Sequence, residues 1–404
     1  MDLRAASMVL DLERRPERAV NGASSADACS VPCEAQVLIL SHAEATQVLV
    51  GADLVWFGSE QADALRAEIA QRVGCQDADV ALCATHTHGT PNPDPRFQYG
   101  ECSPALIAHL RERILAGVDA AVANPPQAVR LMFGRATAPG VAINRRRMAW
   151  LLTGGSIGRR VQNLPNRARP IDERVSVIAF VSKQTNQPAA LAVHFACHPV
   201  ADPANLRGAD FPGAVREALR QRFGSSLVSV FLQGFCGDVR PALLHRPRGL
   251  KDRLLQWLIG DRFRPSLADD APEIGRRLAD RAGAALGAAV VVEVGPSKTR
   301  RSSVALNDVD GQPTGHELDV TVWQWSDNLR LVFAGAEMLS GLAPRDSHTL
   351  AVGYANGMAG YIAPAEDYAG GGYEIDGFLG RFGLAKRFDP GIGAAFGRVA
   401  ASTV

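Results

Sequence analysis

The chain has 404 residues, of which 47% are hydrophobic and 21% are charged, and its formal net charge is +1. This composition is typical of a globular protein with a large core, and the near-zero charge gives no indication of nucleic acid or an anionic membrane as a partner. The seven cysteines are scattered, and neither a secretory signal nor an apolar run of transmembrane length is visible, so we expect a reduced, cytoplasmic protein.

Apolar runs typical of strands recur along the chain after a mixed, polar lead-in over residues 1–35. They cover residues 36–40, 46–57, 79–84, 129–134, 175–181, 189–197, 226–232, 317–325 and 329–335. Helical periodicity predicts helices over residues 59–74, 103–124, 211–224 and 271–290, the first with Ser59 as its N-cap and Gly74 at its end. Residues 241–272 are rich in Arg, Pro and Asp and are predicted to form a surface excursion. Because strands and helices are interspersed, we expect one α/β domain over residues 36–404, with mixed β-sheets flanked by helices.

Short polar segments follow several of the apolar runs, and they contain most of the candidate functional residues. The run at 79–84 leads into THTHG, in which His86 and His88 are two residues apart and would share one strand face. On these residues alone the pair could be metal ligands, acid–base groups or ordinary polar residues. Sites in α/β proteins form where strands end and loops converge, so these segments are predicted to assemble into one site.

Two imidazoles and a carboxylate form the ligand set of many zinc hydrolases, and His86, His198 and Glu337 would supply it. Glu337 lies in an apolar stretch, where a carboxylate is costly unless it is paired or bound to metal. His194 precedes His198 on the same predicted strand and is interpreted as structural. The segment after His88 lacks the metallo-β-lactamase HxHxDH pattern, and the strand order does not fit an amidohydrolase barrel.

Six short segments, taken together and in order, resemble the N-terminal catalytic domain of the neutral/alkaline, non-lysosomal ceramidases and their shorter bacterial relatives. They are THTHG (85–89), INRR (143–146), FACHP (195–199), QGFCGDVRP (233–241), GAEMLSG (335–341) and GYIAPAEDYAGGGYE (360–374). The resemblance spans residues 36 to about 385 and implies the same α/β catalytic domain. The immunoglobulin-like C-terminal domain of full ceramidases is expected to be absent.

The resemblance also implies roles for particular residues. It implies that zinc is held by four residues, namely His86, His198, Glu337 and Tyr361. It implies that His88, Arg145 and Tyr373 act in catalysis, with His88 beside the metal and Tyr373 at the substrate carbonyl. The arginines within 145–147, 159–160 and 167–169 lie near the site segments and could favour an anionic group, but they are interpreted as a solvated face. Asp238 is interpreted as a turn or supporting carboxylate, and Asp210 as a helix cap.

One position departs from the family pattern: the ceramidases have serine in a QSN segment where this chain reads QGF, so Gly234 offers no hydroxyl. We therefore expect water as the nucleophile, and extra space beside the scissile carbonyl. The predicted activity is zinc-dependent hydrolysis of an amide bond in a small, soluble N-acyl compound rather than long-chain ceramide. A zinc-dependent esterase or lactonase and a non-catalytic metal-binding relative are the alternatives. Substrate identity and oligomeric state cannot be read from the sequence.

Overall fold

The computed structural model describes residues 1–153 and 156–402. Its helices are α1 Ser59–Val73, α2 Pro104–Ala123, α3 Asp210–Phe223, α4 Leu250–Ile259, α5 Asp270–Gly287 and α6 Ile392–Ala401. Its strands are β1 Asp2–Val9, β2 Glu34–His42, β3 Ala45–Ala52, β4 Val80–Ala84, β5 Gln127–Thr137, β6 Ala142–Thr153, β7 Ser156–Asn166, β8 Arg174–Ser182, β9 Pro188–Phe195, β10 Val228–Gln233, β11 Val239–Pro241, β12 Val290–Val291, β13 Lys298–Asn307, β14 Pro313–Ser326, β15 Leu329–Ala334, β16 Glu337–Met338, β17 Thr349–Val352 and β18 Tyr361–Ile362.

A large mixed sheet is the central layer of the fold. Its strand order is β10-β9-β8-β5-β1-β2-β3-β4, with β12 also paired to β5. The outer pairs β3–β4 and β9–β10 are parallel, whereas the neighbouring pairs inside them are antiparallel. The α/β prediction of mixed sheets flanked by helices is therefore confirmed.

Both faces of the central sheet are covered, which explains why its strands read as continuous apolar runs. On β2, Val37 and Ile39 pack into a core shared with helices α1, α2, α3 and α5. The alternate residues Leu38 and Leu40 pack instead against the sheet β13-β14-β15-β17, around Trp323. Two-residue periodicity thus sends successive side chains of one strand into two different cores.

The first strand differs from the expectation of an irregular lead-in over residues 1–35. Asp2–Val9 forms an antiparallel pair with β2 along its whole length, from Asp2 opposite Ser41 to Val9 opposite Glu34. This strand was not predicted because only two of its eight residues, Leu3 and Ala6, are buried, and polar residues interrupt its apolar pattern. Residues 10–33 contain one short 3-10 turn and are otherwise irregular. The domain boundary at residue 36 stays a prediction.

Two features outside the central sheet matter for the site. Strands β6 and β7 form a long hairpin, and β11 pairs with the first residues of β6. The predicted surface excursion over 241–272 contains helix α4, none of whose residues is buried. Helix α1 begins at Ser59 itself, with Gly58 in the cap position, and ends as predicted at Gly74, whose φ is +80°. Among the helices described, none is long and apolar enough to cross a membrane.

Candidate metal centre and adjoining cavity

Three side chains from distant parts of the sequence converge at the ends of strands in the core. His86 follows β4 and His198 follows β9, while Glu337 begins β16, three residues after the end of β15. The Nε2 atoms of His86 and His198 are 3.1 Å apart, and Oε2 of Glu337 lies 3.3 Å from the first and 3.4 Å from the second. All three side chains are nearly inaccessible to solvent. The structure thus brings together the three residues on which the zinc prediction was based.

The two histidines are oriented by backbone carbonyl groups on their far sides. Nδ1 of His86 is 2.7 Å from the carbonyl oxygen of Val55, and Nδ1 of His198 is 2.8 Å from that of Cys236. A carbonyl oxygen only accepts, so each Nδ1 carries the hydrogen that it donates, and each ring directs its Nε2 at the other. This pattern of support is typical of metal-bound histidine.

The donor atoms fit a cation placed between them. Ligands about 2.0–2.1 Å from a tetrahedral zinc ion lie roughly 3.3 Å from one another, close to the three separations observed. Without a cation, two nitrogen lone pairs and a carboxylate would face each other in a buried space, which is unfavourable. The same donor set also serves non-haem iron(II), so the geometry indicates a divalent metal without identifying it.

The protonation states agree with this interpretation. Burial, with the nearby Arg145 cation, lowers the pKa of His198 to about 4, so its ring is neutral near pH 7. Burial alone would raise the pKa of Glu337, but the adjacent imidazoles outweigh it and hold that pKa well below its usual range. A neutral imidazole and an ionised carboxylate are the forms that bind metal.

His88 occupies a different position from the other two histidines. Its Nε2 is 3.3 Å from Nε2 of His86, and the three histidines together could hold one ion. However, His88 makes no ion-pair contact with Glu337 and no carbonyl group holds its Nδ1, within the residues described. Burial and the two neighbouring histidines keep its pKa well below the ordinary value. His88 is therefore a neutral imidazole at the edge of the cluster.

The convergence of His86 and His88 does not arise from strand alternation, as the sequence analysis assumed. Strand β4 ends at Ala84, and His86 has a left-handed backbone with φ +66°. Its ring stacks on Tyr354, with ring centroids 3.9 Å apart, and stands perpendicular to the ring of His88. The two Nε2 atoms meet because the backbone turns sharply between β4 and His88.

Tyr361 lies beside the metal cluster because β16 and β18 are parallel neighbours with Glu337 opposite Tyr361. Its hydroxyl accepts a hydrogen bond of 3.3 Å from Nη2 of Arg145, which also donates to the carbonyl oxygen of Gly237 at 2.7 Å. Burial raises the pKa of Tyr361 well above its usual value, so this hydroxyl keeps its proton. Its predicted role as a metal ligand stays a prediction.

A buried carboxylate that the sequence analysis missed holds the arginines in place. Glu374 accepts from Nε of Arg145 at 2.8 Å and from Nη1 of Arg146 at 2.6 Å. Arg146 also donates to the carbonyl oxygen of Gly371 at 2.9 Å. The interpretation of these arginines as a solvated face is wrong for Arg145 and Arg146, which are 8% and 3% exposed. Arg159 and Arg160 are exposed, as that interpretation expects.

A cavity of about 240 Å³ adjoins the cluster and connects the predicted catalytic residues. His88, Arg145 and Tyr373, the three side chains assigned to catalysis, all line it. The remaining lining residues are Val20, Trp56, Tyr99, Asn163, His198, Glu337, Tyr361 and Arg381. The hydroxyl groups of Tyr373 and Tyr99 are hydrogen-bonded to each other. Tyr99 was not identified from the sequence because it lies in an irregular segment, FQYGE, without a recognisable motif.

Gly234 does not line this cavity, so the expected space beside a scissile carbonyl is not created there. A Cβ atom at Gly234 would lie 2.7 Å from Cβ of Ala196 and 3.0 Å from Nε2 of His194. That direction leads into the packed interior next to β9. A side chain at this position would therefore not reach the cavity without movement of its neighbours.

The supporting residues named from the sequence are structural. His194 contacts the carbonyl oxygen of Ala351 through Nε2 at 2.9 Å, away from the cluster. Asp238 accepts from Nδ2 of Asn144 at 2.7 Å and from the backbone amide of Ser340 at 2.7 Å, which ties β6 to the segment after Glu337. Each agrees with its predicted supporting role.

Asp210 is the first residue of α3 rather than its N-cap. Its Oδ2 accepts from the amides of Ala201 and Asp202, both at 2.9 Å, in the loop that follows His198. Burial and the neighbouring Asp202 carboxylate raise the pKa of Asp210 to about 7. Asp210 thus holds the loop after a candidate ligand instead of capping the helix from outside.

No protein-family model matches this chain, and no curated protein sequence matches it. Among solved structures, the neutral ceramidase of Pseudomonas aeruginosa matches with a TM-score of 0.75 and 17% sequence identity, over 98% of this chain and 73% of that one. A ceramidase structure described as complexed with C2 matches with a TM-score of 0.75 and 16% identity, over the same shares. The predicted ceramidase fold is therefore confirmed.

Proposed function

We propose that this protein is a metal-dependent hydrolase that cleaves the amide bond of an N-acyl compound, with zinc as its metal. The observation that carries the proposal is the approach of two imidazole Nε2 atoms and one carboxylate oxygen to within 3.1 to 3.4 Å of one another, beside a cavity lined by arginines and tyrosines. The ceramidase fold supports the amide as the bond cleaved.

Zinc in such a site would lower the pKa of a coordinated water towards about 7 and polarise a substrate carbonyl. His86, His198 and Glu337 would hold the ion, with Tyr361 as a further candidate ligand. His88 would accept the proton of the attacking water and then donate it to the leaving amine. Its low pKa, set by burial, keeps the ring neutral and able to accept that proton.

Arg145 and Tyr373 would stabilise the negative charge that develops on the carbonyl oxygen. Nε and Nη2 of Arg145 are held by Glu374 and Gly237, while its Nη1 makes no hydrogen bond within the residues described and the side chain lines the cavity. Preorganised donors of this kind each contribute about 3 kcal/mol to catalysis. Tyr99 would position the Tyr373 hydroxyl through their mutual hydrogen bond.

Water is the proposed nucleophile. None of the cavity-lining residues in the described part of the chain is a serine, threonine or cysteine, which are the usual acyl acceptors. An acyl-enzyme is therefore not expected, and intact-mass measurement during turnover should show no covalent acyl adduct.

The substrate proposal is limited by the size of the cavity. About 240 Å³ lies below the range typical of pockets for drug-sized ligands, which favours a compact acyl group over a long chain. Poor turnover of long-chain ceramide thus stays a prediction. The esterase or lactonase alternative keeps the same residues, because an ester needs less assistance at its leaving group.

The test combines metal analysis of purified protein with a panel of N-acyl amines of increasing acyl length and the matching esters. We expect one zinc per chain and chelator-sensitive amide hydrolysis that declines with acyl length. Preferential turnover of esters would favour the alternative enzyme. Zinc binding without turnover of any amide or ester would favour a non-catalytic metal-binding protein, and absence of metal would refute the proposal.

A further inference from the structure

Helix α4 is amphipathic, but its apolar side faces solvent and its polar side faces the protein. Its apolar stripe is Leu250, Leu254, Trp257 and Leu258, and these side chains are 58% to 84% exposed. Its polar side faces the protein: Asp252 pairs with Arg262 and His245, and Gln256 donates to Asp261. Surface helices normally bury the apolar stripe and expose the polar one. The exposed apolar stripe therefore indicates a surface that binds a membrane or another molecule.

The β6–β7 hairpin extends this apolar surface. Arg147 on β6 donates to the carbonyl oxygens of Ile259 and Asp261, so the end of α4 is fastened to the hairpin. Trp150 on the same strand is 70% exposed, with the guanidinium of Arg159 over its ring. Two tryptophans, Trp150 and Trp257, are thus presented to solvent, whereas Trp56, Trp323 and Trp325 are buried.

Positive charge surrounds the apolar surface. The segment 245–260 contains the exposed cations Arg246, Arg248, Lys251 and Arg253, and its one acid is the ion-paired Asp252. At 100° per residue, Lys251 and Arg253 project from opposite edges of the apolar stripe. Arg159 and Arg160 add exposed charge on the hairpin. Cations flanking a stripe of Leu and Trp are the pattern of helices that lie in the interface of an anionic membrane.

We propose that α4 and the adjoining face of the β6–β7 hairpin form a docking surface for an anionic lipid membrane. Charge complementarity selects this occupant over a second copy of the chain, because a two-fold contact between copies would set these uncompensated cations against each other. The overall charge of +1 gave no indication of a membrane partner, because it averages over the whole chain and does not reveal this local basic patch.

The docking surface is continuous with the cavity. Asn163 of β7 lines the cavity and pairs with Arg146, while Arg159, four residues along the same strand, pairs with Trp150. At about 3.3 Å per residue, these positions are roughly 13 Å apart. Docking would therefore bring the cavity mouth close to the lipid surface. If the proposed function holds, a substrate with a compact acyl group would enter the cavity from that surface, whereas the docking itself does not depend on the proposed function.

The test measures binding without turnover, so it is independent of the enzymatic proposal. Full-length protein would be sedimented with vesicles of phosphatidylcholine alone or mixed with phosphatidylserine, while tryptophan emission is recorded. We expect stronger binding to the mixed vesicles, weakened by salt, and a blue shift from Trp150 and Trp257 as they leave water.

A triple variant, Leu254→Gln, Trp257→Gln and Leu258→Gln, keeps helix propensity and should lose at least ten-fold in partitioning. The matched control, Leu267→Gln, Val290→Gln and Val309→Gln, removes three exposed apolar side chains elsewhere and should bind like the unmodified protein. Lys251→Gln with Arg253→Gln should reduce the preference for phosphatidylserine.

Equal binding by the unmodified protein and the α4 triple variant would overturn the proposal, as would absence of vesicle binding. Sedimentation velocity identifies the competing occupant. A dimer that the α4 variant converts to monomer, without vesicle binding by either protein, would assign the surface to self-association instead.

Discussion

Glu374 offers a sharp test of how the site is supported, because one buried carboxylate neutralises two buried guanidinium groups. Its side chain is 3% exposed, and its contacts to Arg145 and Arg146 measure 2.8 and 2.6 Å. The arginines outweigh the effect of burial and hold the Glu374 pKa below its ordinary value, so the carboxylate is charged. We therefore consider Glu374→Gln, which keeps the shape of the side chain and removes its charge.

Removing one partner of a buried ion pair costs about 3–5 kcal/mol, because the remaining charge stays buried without compensation. Glutamine retains one acceptor oxygen but turns an amide N–H₂ towards a guanidinium group. We therefore expect a loss near the lower end of that range, about 3 kcal/mol in the free energy of unfolding. Arg145 would also lose the contact that fixes its Nε, so turnover should fall, by up to roughly 100-fold if its donor to the carbonyl oxygen is lost.

The measurement is urea unfolding, combined with kcat and KM on the best substrate of the N-acyl panel. Glu273→Gln is the control, because Glu273 forms an exposed pair with Arg276 and its loss should leave stability and turnover unchanged. A merely structural role for Glu374 would reduce stability and spare kcat of the folded protein. An unfolding free energy equal to that of the unmodified protein would refute the argument from buried charge.

Three further predictions concern the metal cluster and its supporting loop. His86→Ala should abolish metal binding by elemental analysis, whereas His194→Ala, which removes a buried histidine outside the cluster, should retain the metal. His88→Ala should lower turnover by about 100-fold or more with metal retained; loss of metal comparable to that of His86→Ala would instead make His88 a ligand. Asp210 has a native pKa of about 7, against an ordinary value of 3.8. Between these pH values the native state holds a proton that the unfolded state has released. The free energy of unfolding should therefore fall as pH rises, by up to about 4 kcal/mol. Asp210→Asn should flatten this decline in a pH series of unfolding measurements, and an unchanged slope would contradict the assigned pKa.

The main strands and the metal cluster could be predicted from the sequence for the same physical reason. Strands buried on both faces leave continuous apolar runs, and the polar segments after those runs mark where strands end. His86, His198 and Glu337 each follow such a run, so their convergence required only that neighbouring strand ends meet. The resemblance added the assignment of individual roles.

Features that depend on distant partners could not be predicted in this way. Glu374 is one acid among several in its segment, and its partners Arg145 and Arg146 lie more than 220 residues earlier. The arginine-rich start of β6 reads as solvated, yet these charges are buried against that acid. Helix α4 has an amphipathic sequence, but the sequence does not tell which stripe faces solvent; that depends on Asp252 and Gln256 finding partners on the protein.

The backbone at the cluster indicates why such a site resists prediction from local preferences. His86 and Tyr354, whose rings stack, both have left-handed backbones, with φ of +66° and +55°. Non-glycine residues of this size rarely adopt that conformation, which costs on the order of 1–3 kcal/mol each. Hydrogen bonds from His86 N to the Leu54 carbonyl and from Ala84 N to the Tyr354 carbonyl hold both turns in place. The backbone conformation that His86 and Tyr354 prefer locally therefore differs from the one that the tertiary structure imposes on them. These residues direct Nε2 of His86 towards Glu337, and such conflicts are expected at functional sites.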